Sequence, residues 1–189
     1  MKREAIYAAA ERLFLSHGYE GTTMDAVAEE AGVTKQTVYR YCPSKADLFA
    51  GLISGMGEER SGFSFGNSAL EEELHQFGLA FLTAHMGERN LSFFRLVMNE
   101  SWKSEELREL FAKHAQSRWF DELSDFLEKR LELPDAGSIA QIFISMLLSE
   151  RNRVLMGRRS PLPRDEIMTH VSLVVGIFLK GLPRDHTVK

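Results

Sequence analysis

Apolar residues recur at helical spacing along almost the whole chain of 189 residues. In the first stretch they fall at i, i+3, i+4, i+7 and i+8, the pattern of an amphipathic helix. No stretch shows the alternation with period two that a half-buried strand requires. The pattern therefore predicts an all-α protein of about nine helices. Predicted boundaries include residues 3–17, 91–101, 104–131, 138–157 and 164–182.

Short helices near the N-terminus have start and stop signals in the sequence. Thr22 or Thr23 can cap the second predicted helix, and Gly32 can end it because glycine readily takes the left-handed conformation. Thr34 can cap the third helix, which Pro43 stops. Two short helices joined by a glycine-containing turn, on a supporting first helix, predict a helix-turn-helix unit.

The third predicted helix lies in the segment GVTKQTVYRYCPSK, residues 32–45, which holds three cations and no acid. The whole chain is acidic, with 23 Lys+Arg against 27 Asp+Glu, so the segment is basic by position and not through the overall charge. Such a local excess suits a docked polyanion. With Val38 facing inward, the other side chains of this helix are left to meet DNA in the major groove.

The side chains of this segment divide the predicted DNA contacts into two kinds. Lys35, Gln36 and Thr37 carry groups that can reach base edges. Tyrosine and threonine hydroxyls can reach phosphates, as can Lys45 at the N-terminus of the next helix. The predicted DNA-binding residues are Thr23, Thr34, Lys35, Gln36, Thr37, Tyr39, Tyr41 and Lys45.

The segment HGYEGTTMDAVAEEAGVTKQTVYRYCPSKADLF resembles the N-terminal signature of the TetR (tetracycline repressor) family of transcriptional regulators. The resemblance covers residues 5–50 closely and is specific in its motifs. It implies DNA contacts from the eight residues named above. It also implies an all-helical fold with a variable C-terminal domain for ligand binding and dimerisation.

Cys42 departs from the resemblance, because the family usually has an aromatic residue there. A thiol beside the helix that begins at Ser44 could have a lowered pKa and sense oxidants. It could instead be a small buried hydrophobe, which we favour because the chain has no second cysteine to resolve an oxidised thiol.

A single cysteine fits a reducing compartment, and no apolar run is long enough to span a membrane. These features predict a cytoplasmic protein without membrane contact.

The composition changes around the fourth predicted helix. Glycine, serine and asparagine accumulate over residues 51–67, which indicates a loosening helix followed by a loop. We therefore place a boundary near Gly51. Residues 1–50 would form the helix-turn-helix DNA-binding domain, and residues 51–189 a larger helical domain for ligand binding and dimerisation.

Large apolar side chains of the C-terminal part could converge on a pocket. Aromatic and methionine walls adapt to bulky ligands, whereas for any single residue a place in the core is the better expectation. The expected effector is a small apolar or amphipathic molecule. The candidate ligand-binding residues are Phe77, Phe81, Phe94, Met98, Trp102, Trp119 and Phe120.

The last two predicted helices are apolar on more than one side. A helix of this kind must be buried on two sides. One side can face the core, and the other can form a two-fold interface in which two subunits build a four-helix bundle. The candidate residues for a homodimer interface are Ile142, Phe143, Met146, Val171, Val174 and Phe178.

Two other patterns suggest catalysis or metal binding but lack the context that either needs. GFSFG at residues 62–66 matches the G-x-S-x-G nucleophile elbow, which requires a preceding strand. His75, His85 and His114 could meet as metal ligands, although dispersed histidines more often serve other roles. We therefore predict no enzyme activity, no metal and no cofactor.

The predicted function is DNA-binding transcriptional regulation, as a dimeric repressor at a palindromic operator. A small-molecule effector would bind the C-terminal domain and release the DNA. The alternative is a helical bundle that binds small molecules or catalyses a reaction, with an incidental helix-turn-helix.

Overall fold

The structure is a computed structural model that describes residues 2–57, 63–103, 105–114, 118–132 and 135–182. Within these ranges it contains ten helices and no strand, which confirms the all-α prediction. None of the helices in the described ranges has the length and apolarity needed to cross a membrane. The helices are α1 (Lys2–Gly21), α2 (Met24–Glu30), α3 (Lys35–Tyr41), α4 (Lys45–Gly57), α5 (Leu70–Met86), α6 (Glu88–Ser101), α7 (Glu105–His114), α8 (Arg118–Leu131), α9 (Ala136–Leu155) and α10 (Arg164–Gly181).

The difference between nine predicted and ten described helices arises in one segment. The sequence pattern predicts a single helix over residues 104–131. The structure describes two helices there, α7 and α8. Residues 115–117, which connect them, lie outside the described part of the chain.

The chain forms two compact units. The first takes the described residues of 1–58 and 92–116, and the second takes those of 59–91 and 117–189. In the first unit α1 packs against α2 and α4, α2 against α3, and α4 against α7. In the second unit α10 packs against α5 and α9, and α9 also packs against α5 and α8.

The core of the first unit is built on α1. Ile6, Ala10 and Phe14 have no exposed surface, as their predicted spacing requires. The Phe14 ring stacks on Tyr19 with centroids 5.7 Å apart and meets Phe49 of α4 edge-on at 5.1 Å. Burying a phenylalanine completely stabilises a fold by about 1.5–3 kcal/mol. This cluster therefore fixes the support on which α2 and α3 rest.

Gly51 has a packing role inside α4, which continues without interruption to Gly57. A Cβ atom at position 51 would lie 2.4 Å from the Tyr7 hydroxyl oxygen. Only glycine lets Tyr7 approach α4 so closely, so this glycine serves packing and does not mark a loosened helix. The functional division at residue 50 stays a prediction.

The core of the second unit centres on Phe77 of α5, which has no exposed surface. Its ring lies 5.6 Å from the rings of both Phe81 and Trp119, measured between centroids. Helices α5 and α10 come very close at Gly78, where a Cβ atom would lie 2.8 Å from a methyl carbon of Val171. The two helices can pack at this distance because position 78 carries no side chain.

Candidate nucleic-acid interface and effector site

Helices α2 and α3 each begin at a threonine that caps them. The Thr23 hydroxyl accepts a hydrogen bond from the Ala26 backbone N–H at 3.1 Å, and Thr34 accepts one from the Thr37 N–H at 3.3 Å. Gly32 takes φ of 62° in the turn between the helices, a conformation that other residues rarely adopt. These contacts confirm the predicted caps and turn, and they fix α3 across α2.

Helix α3 buries only one of its seven residues, Val38, which has no exposed surface. Thr37 is half-buried, and its hydroxyl lies 2.9 Å from that of Thr34. Tyr39 and Tyr41 are both 42% exposed. The other six side chains of α3 are at least partly exposed, and we call them the outward surface of α3. That surface comprises Lys35, Gln36, Thr37, Tyr39, Arg40 and Tyr41.

Lys35 is engaged by an acid in the first turn of α2. Its ammonium nitrogen lies 2.7 and 2.9 Å from the two carboxylate oxygens of Asp25. The hydrogen bond that Lys35 donates to Asp25 raises the pKa of Lys35 above its ordinary value. To reach a base or a phosphate, Lys35 must exchange Asp25 for DNA. The chain carries this competing carboxylate next to its predicted reading surface.

Replacing Asp25 with asparagine should strengthen binding to operator and scrambled duplexes alike by about three- to tenfold at low salt. The change releases Lys35 and removes a negative charge that repels phosphates. Binding of each duplex across several salt concentrations measures the effect. Glu30→Gln is the matched control, because Glu30 makes a comparable exposed ion pair with Arg12 at 2.9 Å. Equal effects of the two substitutions would count against a specific role for Asp25.

Lys45 makes contacts inside the first unit. Its ammonium nitrogen donates to the Tyr19 carbonyl oxygen at 2.8 Å and lies 4.3 Å from the centre of the Tyr19 ring. A longer ion pair joins it to Glu20 at 3.9 Å. Lys45 therefore helps to hold the end of α1 against the start of α4. Its predicted phosphate contact stays a prediction, and truncating it would disturb packing as well as charge.

Cys42 is 1% exposed. Its thiol donates to the Tyr7 hydroxyl oxygen at 3.5 Å. Burial raises the pKa of Tyr7, and the hydrogen bond with Cys42 adds to the increase. A solvent oxidant has little access to such a thiol, so the structure favours the packing interpretation of Cys42.

The structure divides the candidate ligand-binding residues between the two units. Phe77, Phe81, Trp119 and Phe120 belong to the second unit, where the first three form one aromatic cluster and Phe120 packs against the same core. The other three belong to the first unit. The aromatic cluster of the second unit therefore does not contain all seven candidate residues. Of these three, Phe94 is half-buried, Met98 is 47% exposed and Trp102 is 86% exposed.

Sequence reasoning missed two aromatic residues of this cluster. Phe63 lies parallel to Trp119 with centroids 6.4 Å apart, and Phe65 stacks on Phe126 at 4.0 Å. Both phenylalanines belong to the GFSFG segment and precede α5, so helical spacing could not relate them to it. Residues 58–62, which include Gly62 of that segment and the position of any preceding strand, lie outside the described part of the chain.

His85 adjoins the aromatic cluster at the end of α5. Its ring centre lies 4.0 Å from that of Phe81, and Nδ1 lies 2.7 Å from the Phe81 carbonyl oxygen. The pKa of His85 is lowered to about 4, mainly by burial. The positive charge of Arg151 contributes to the lowering, and the hydrogen bond with the Phe81 carbonyl opposes it. His85 is therefore neutral at pH 7. Among the described residues, no group of three or more His, Cys, Asp or Glu side chains could hold a metal ion.

The structure corrects the choice of dimer-interface residues. Phe143 and Val171 have no exposed surface, Val174 is 4% exposed and Phe178 is 6% exposed. All four point into the core of their own unit, where a partner subunit cannot reach them. On α10 the prediction assigned the regular apolar stripe to the interface, whereas that stripe forms the core. Ile142, by contrast, is 57% exposed.

A second apolar surface remains exposed on α9 and α10. Leu173 is 60% exposed and Ile177 is 52% exposed, one helical turn apart on α10. The rings of Phe143 and Phe178 are 4.6 Å apart, which places the adjoining Ile142 and Ile177 at the same level. Half-buried Met146 extends the surface along α9. We call Ile142, Met146, Leu173 and Ile177 the α9–α10 face.

Two family models match the chain. Residues 6–52 match the model described as bacterial regulatory proteins, tetR family. Residues 72–181 match the model described as AefR-like transcriptional repressor, C-terminal domain, which covers more than half of the chain. The chain belongs to the TetR family. The helix-turn-helix of this TetR-family chain is therefore formed by α2 and α3.

Individual relatives agree with this assignment. An uncharacterized HTH-type transcriptional regulator of Mycobacterium tuberculosis is 31% identical over 142 residues, or 74% of this chain and 66% of that protein. The chain thus spans just under two thirds of that relative. The HTH-type transcriptional repressor BepR of Brucella suis is 41% identical over 51 residues, 27% of this chain and 24% of BepR. The structure of the flavonoid-responsive regulator FrrA has a TM-score of 0.78 and 31% identity, covering 97% of this chain and 98% of its own.

Proposed function

We propose that the protein represses transcription in the cytoplasm as a homodimer bound to a palindromic operator. The observation that carries this proposal is the outward surface of α3, a capped helix with a single buried residue and with hydroxyl, amide and cationic side chains facing out. These are the groups that read bases and bind phosphates. The name of BepR, a repressor with a similar N-terminal segment, supports repression as the outcome.

Homodimerisation supplies the geometry that a palindrome needs. Two subunits related by a two-fold axis present two copies of α3, which read half-sites one helical turn of DNA apart, about 34–36 Å. The α9–α10 face offers the apolar surface for that axis, since exposed apolar patches mark interaction sites. Four helices, two from each subunit, would then pack into a bundle.

Release from DNA is assigned to a small molecule that binds the second unit. Phe77, Phe81 and Trp119 supply adaptable aromatic walls for such a molecule. The effector must bind the conformation that is unfit for DNA more tightly than the DNA-bound one, because equal affinity would shift nothing. The similarity to FrrA, named a flavonoid-responsive regulator, supports an effector with aromatic rings.

The exposed amide of Gln36 provides the sharpest test of base reading. Gln36→Ala should cost about 1–3 kcal/mol on the preferred operator, because glutamine can make two hydrogen bonds to adenine. The operator is first identified by sequencing the DNA that the purified protein selects from a random pool. Binding to that operator and to a scrambled duplex is then measured at several salt concentrations.

The salt dependence separates reading from anchoring. Gln36 carries no charge, so its loss should leave the slope of log affinity against log salt unchanged. Scrambled DNA should be bound as well by the variant as by the unchanged protein. If Gln36→Ala weakened binding to both duplexes equally, the placement of α3 in the groove would be wrong. A failure to select any common DNA sequence would refute operator binding itself.

A further inference from the structure

A short aromatic segment of the second unit lies against α5 and α8. We call residues 63–69 the strap; it is the first described segment after α4 and leads directly into α5. Its two phenylalanines, Phe63 and Phe65, are half-buried, whereas Ser64 and Gly66 between and beyond them are exposed. The strap therefore points two aromatic rings inward from an irregular backbone.

The Phe65 ring is stacked between two helical rings. It lies 4.0 Å from Phe126 of α8 with an angle of 8° between the planes, and 5.4 Å from Phe77 of α5 with an angle of 14°. Phe63 lies parallel to Trp119 and meets Phe77 edge-on at 5.7 Å. The two helices thus form a slot for flat rings, and the strap fills that slot with its own side chains.

The strap is held by a few polar contacts. Glu73, which is 3% exposed, accepts hydrogen bonds from the backbone N–H groups of Gly66 and Ser68, both at 2.9 Å. Arg130 donates to the Ser68 carbonyl oxygen at 2.6 Å. A Cβ atom at Gly66 would lie 3.0 Å from a Glu73 carboxylate oxygen, so a side chain here would press on the Glu73 carboxylate. An irregular segment held by three such hydrogen bonds opens more readily than a core helix.

An open groove runs along the outer side of this aromatic stack. It has a volume of about 660 Å³, and its apolar walls are Phe63, Phe65 and Phe126. Two acids, Glu122 and Asp125, and two cations, Lys129 and Arg130, also line it. Sites for small molecules usually measure roughly 300–1,000 Å³ and combine apolar walls with a few polar groups. The groove therefore gives a planar molecule access to the stack, with charged groups of both signs near its polar substituents.

We propose that the strap is a built-in occupant of the effector site, and that a planar aromatic effector binds by displacing Phe65 from the slot between Phe77 and Phe126. The proposal rests on the proposed function and names the chemical class of its effector. The displaced ring is the strap's, because Phe65 is carried by an irregular segment while both walls are carried by helices. Displacement of Phe65 would also release the strap, which is the first described segment after α4 along the chain.

Phe65 could either block the effector site or form part of the wall that contacts the effector. These two roles predict opposite results for the same substitution. If Phe65 occupies the slot, Phe65→Ala removes the competitor, and a planar aromatic probe should bind about tenfold more tightly. If Phe65 is a wall, the same change should weaken binding. Phe126→Ala is the matched control, because it removes the neighbouring ring on α8 and should weaken binding. Gly66→Ala loosens the strap while keeping both rings, and should tighten binding in the same direction as Phe65→Ala.

The probe is apigenin, a planar flavone, and the measurement is quenching of Trp119 fluorescence in a Trp102→Phe background. Trp102 is 86% exposed, so its replacement removes the second tryptophan signal at little cost to the fold. Thermal melting of each variant confirms that it remains folded. If the Phe65→Ala protein does not fold, the Gly66→Ala protein serves as the test. Tighter binding by the folded strap variants supports the proposal.

Two results would overturn it. One is weaker or unchanged binding of apigenin by folded Phe65→Ala and Gly66→Ala proteins, which would make Phe65 a wall or a bystander. The other is a failure of apigenin to bind either the unchanged protein or the strap variants, which would exclude planar aromatic effectors. Operator selection by the same protein tests the proposed repressor function separately, so the two failures can be told apart.

Discussion

Replacing Ile177 with arginine should convert the protein to monomers and weaken operator binding by about a hundredfold or more. Ile177 is 52% exposed in the middle of the α9–α10 face and lies one turn from Leu173. An arginine there would place a charge in an apolar interface, where burial without a partner is strongly unfavourable. A monomer can hold only one half-site, so it loses the gain that comes from engaging both.

The measurement combines light scattering with operator binding. Met156→Arg is the matched control, because Met156 is also an exposed apolar residue, at 63%, and follows α9 outside the α9–α10 face. It should leave the dimer and operator binding unchanged. A folded Ile177→Arg protein that remains dimeric would exclude this face as the interface. Since Ile177 is already exposed, the substitution should not unfold the protomer.

Acidification from pH 6.5 to pH 4 should lower the free energy of unfolding by about 3 kcal/mol through His85 alone. Unfolded histidine has a pKa of about 6.5, whereas burial holds the folded pKa of His85 to about 4. A pKa difference of one corresponds to about 1.4 kcal/mol. The unfolded chain therefore binds a proton in this window that the folded chain does not. The contribution of His85 to the free energy of unfolding is fully present above pH 6.5 and is lost as the pH falls towards 4.

Denaturant unfolding at pH 7, 6, 5 and 4 measures this loss. Carboxyl groups also titrate in the window, so the test compares the slopes of variants. His85→Gln keeps a hydrogen-bond donor for the Phe81 carbonyl but removes the titrating group, and its stability should fall less steeply with acidification. His75→Gln, on the same helix, should keep the steep profile. Equal slopes for His85→Gln and the unchanged protein would contradict the assigned role of His85.

Helices and caps could be predicted because they depend on neighbouring residues. Thr23, Thr34 and Gly32 occupy the cap and turn positions that their spacing indicates. The identity of the buried Val38 also follows from its place in α3. Such features require only a few consecutive side chains and a single helical period. The predicted residues of the reading surface accordingly emerge together on α3.

The spacing of apolar residues in the sequence could not predict long-range contacts. Helical period identifies an apolar side of α10 but not whether it faces the core or a partner, so Val174 and Phe178 were assigned to the wrong surface. The strap residues Phe63 and Phe65 belong to no helix and offer no period at all. Lys45 illustrates a third limit, because its contact with the Tyr19 carbonyl joins residues that are far apart in sequence.

The single buried side chain of α3 has a consequence for the evolution of operator choice. Val38 is the one fully buried side chain of α3, while Thr34 caps the helix and Gly32 shapes the turn before it. Substitutions at the outward positions should change folding stability by only about 0.5 kcal/mol or less. New operator sequences can therefore be explored by mutation at Lys35, Gln36 or Tyr39 without first acquiring compensating changes in the core.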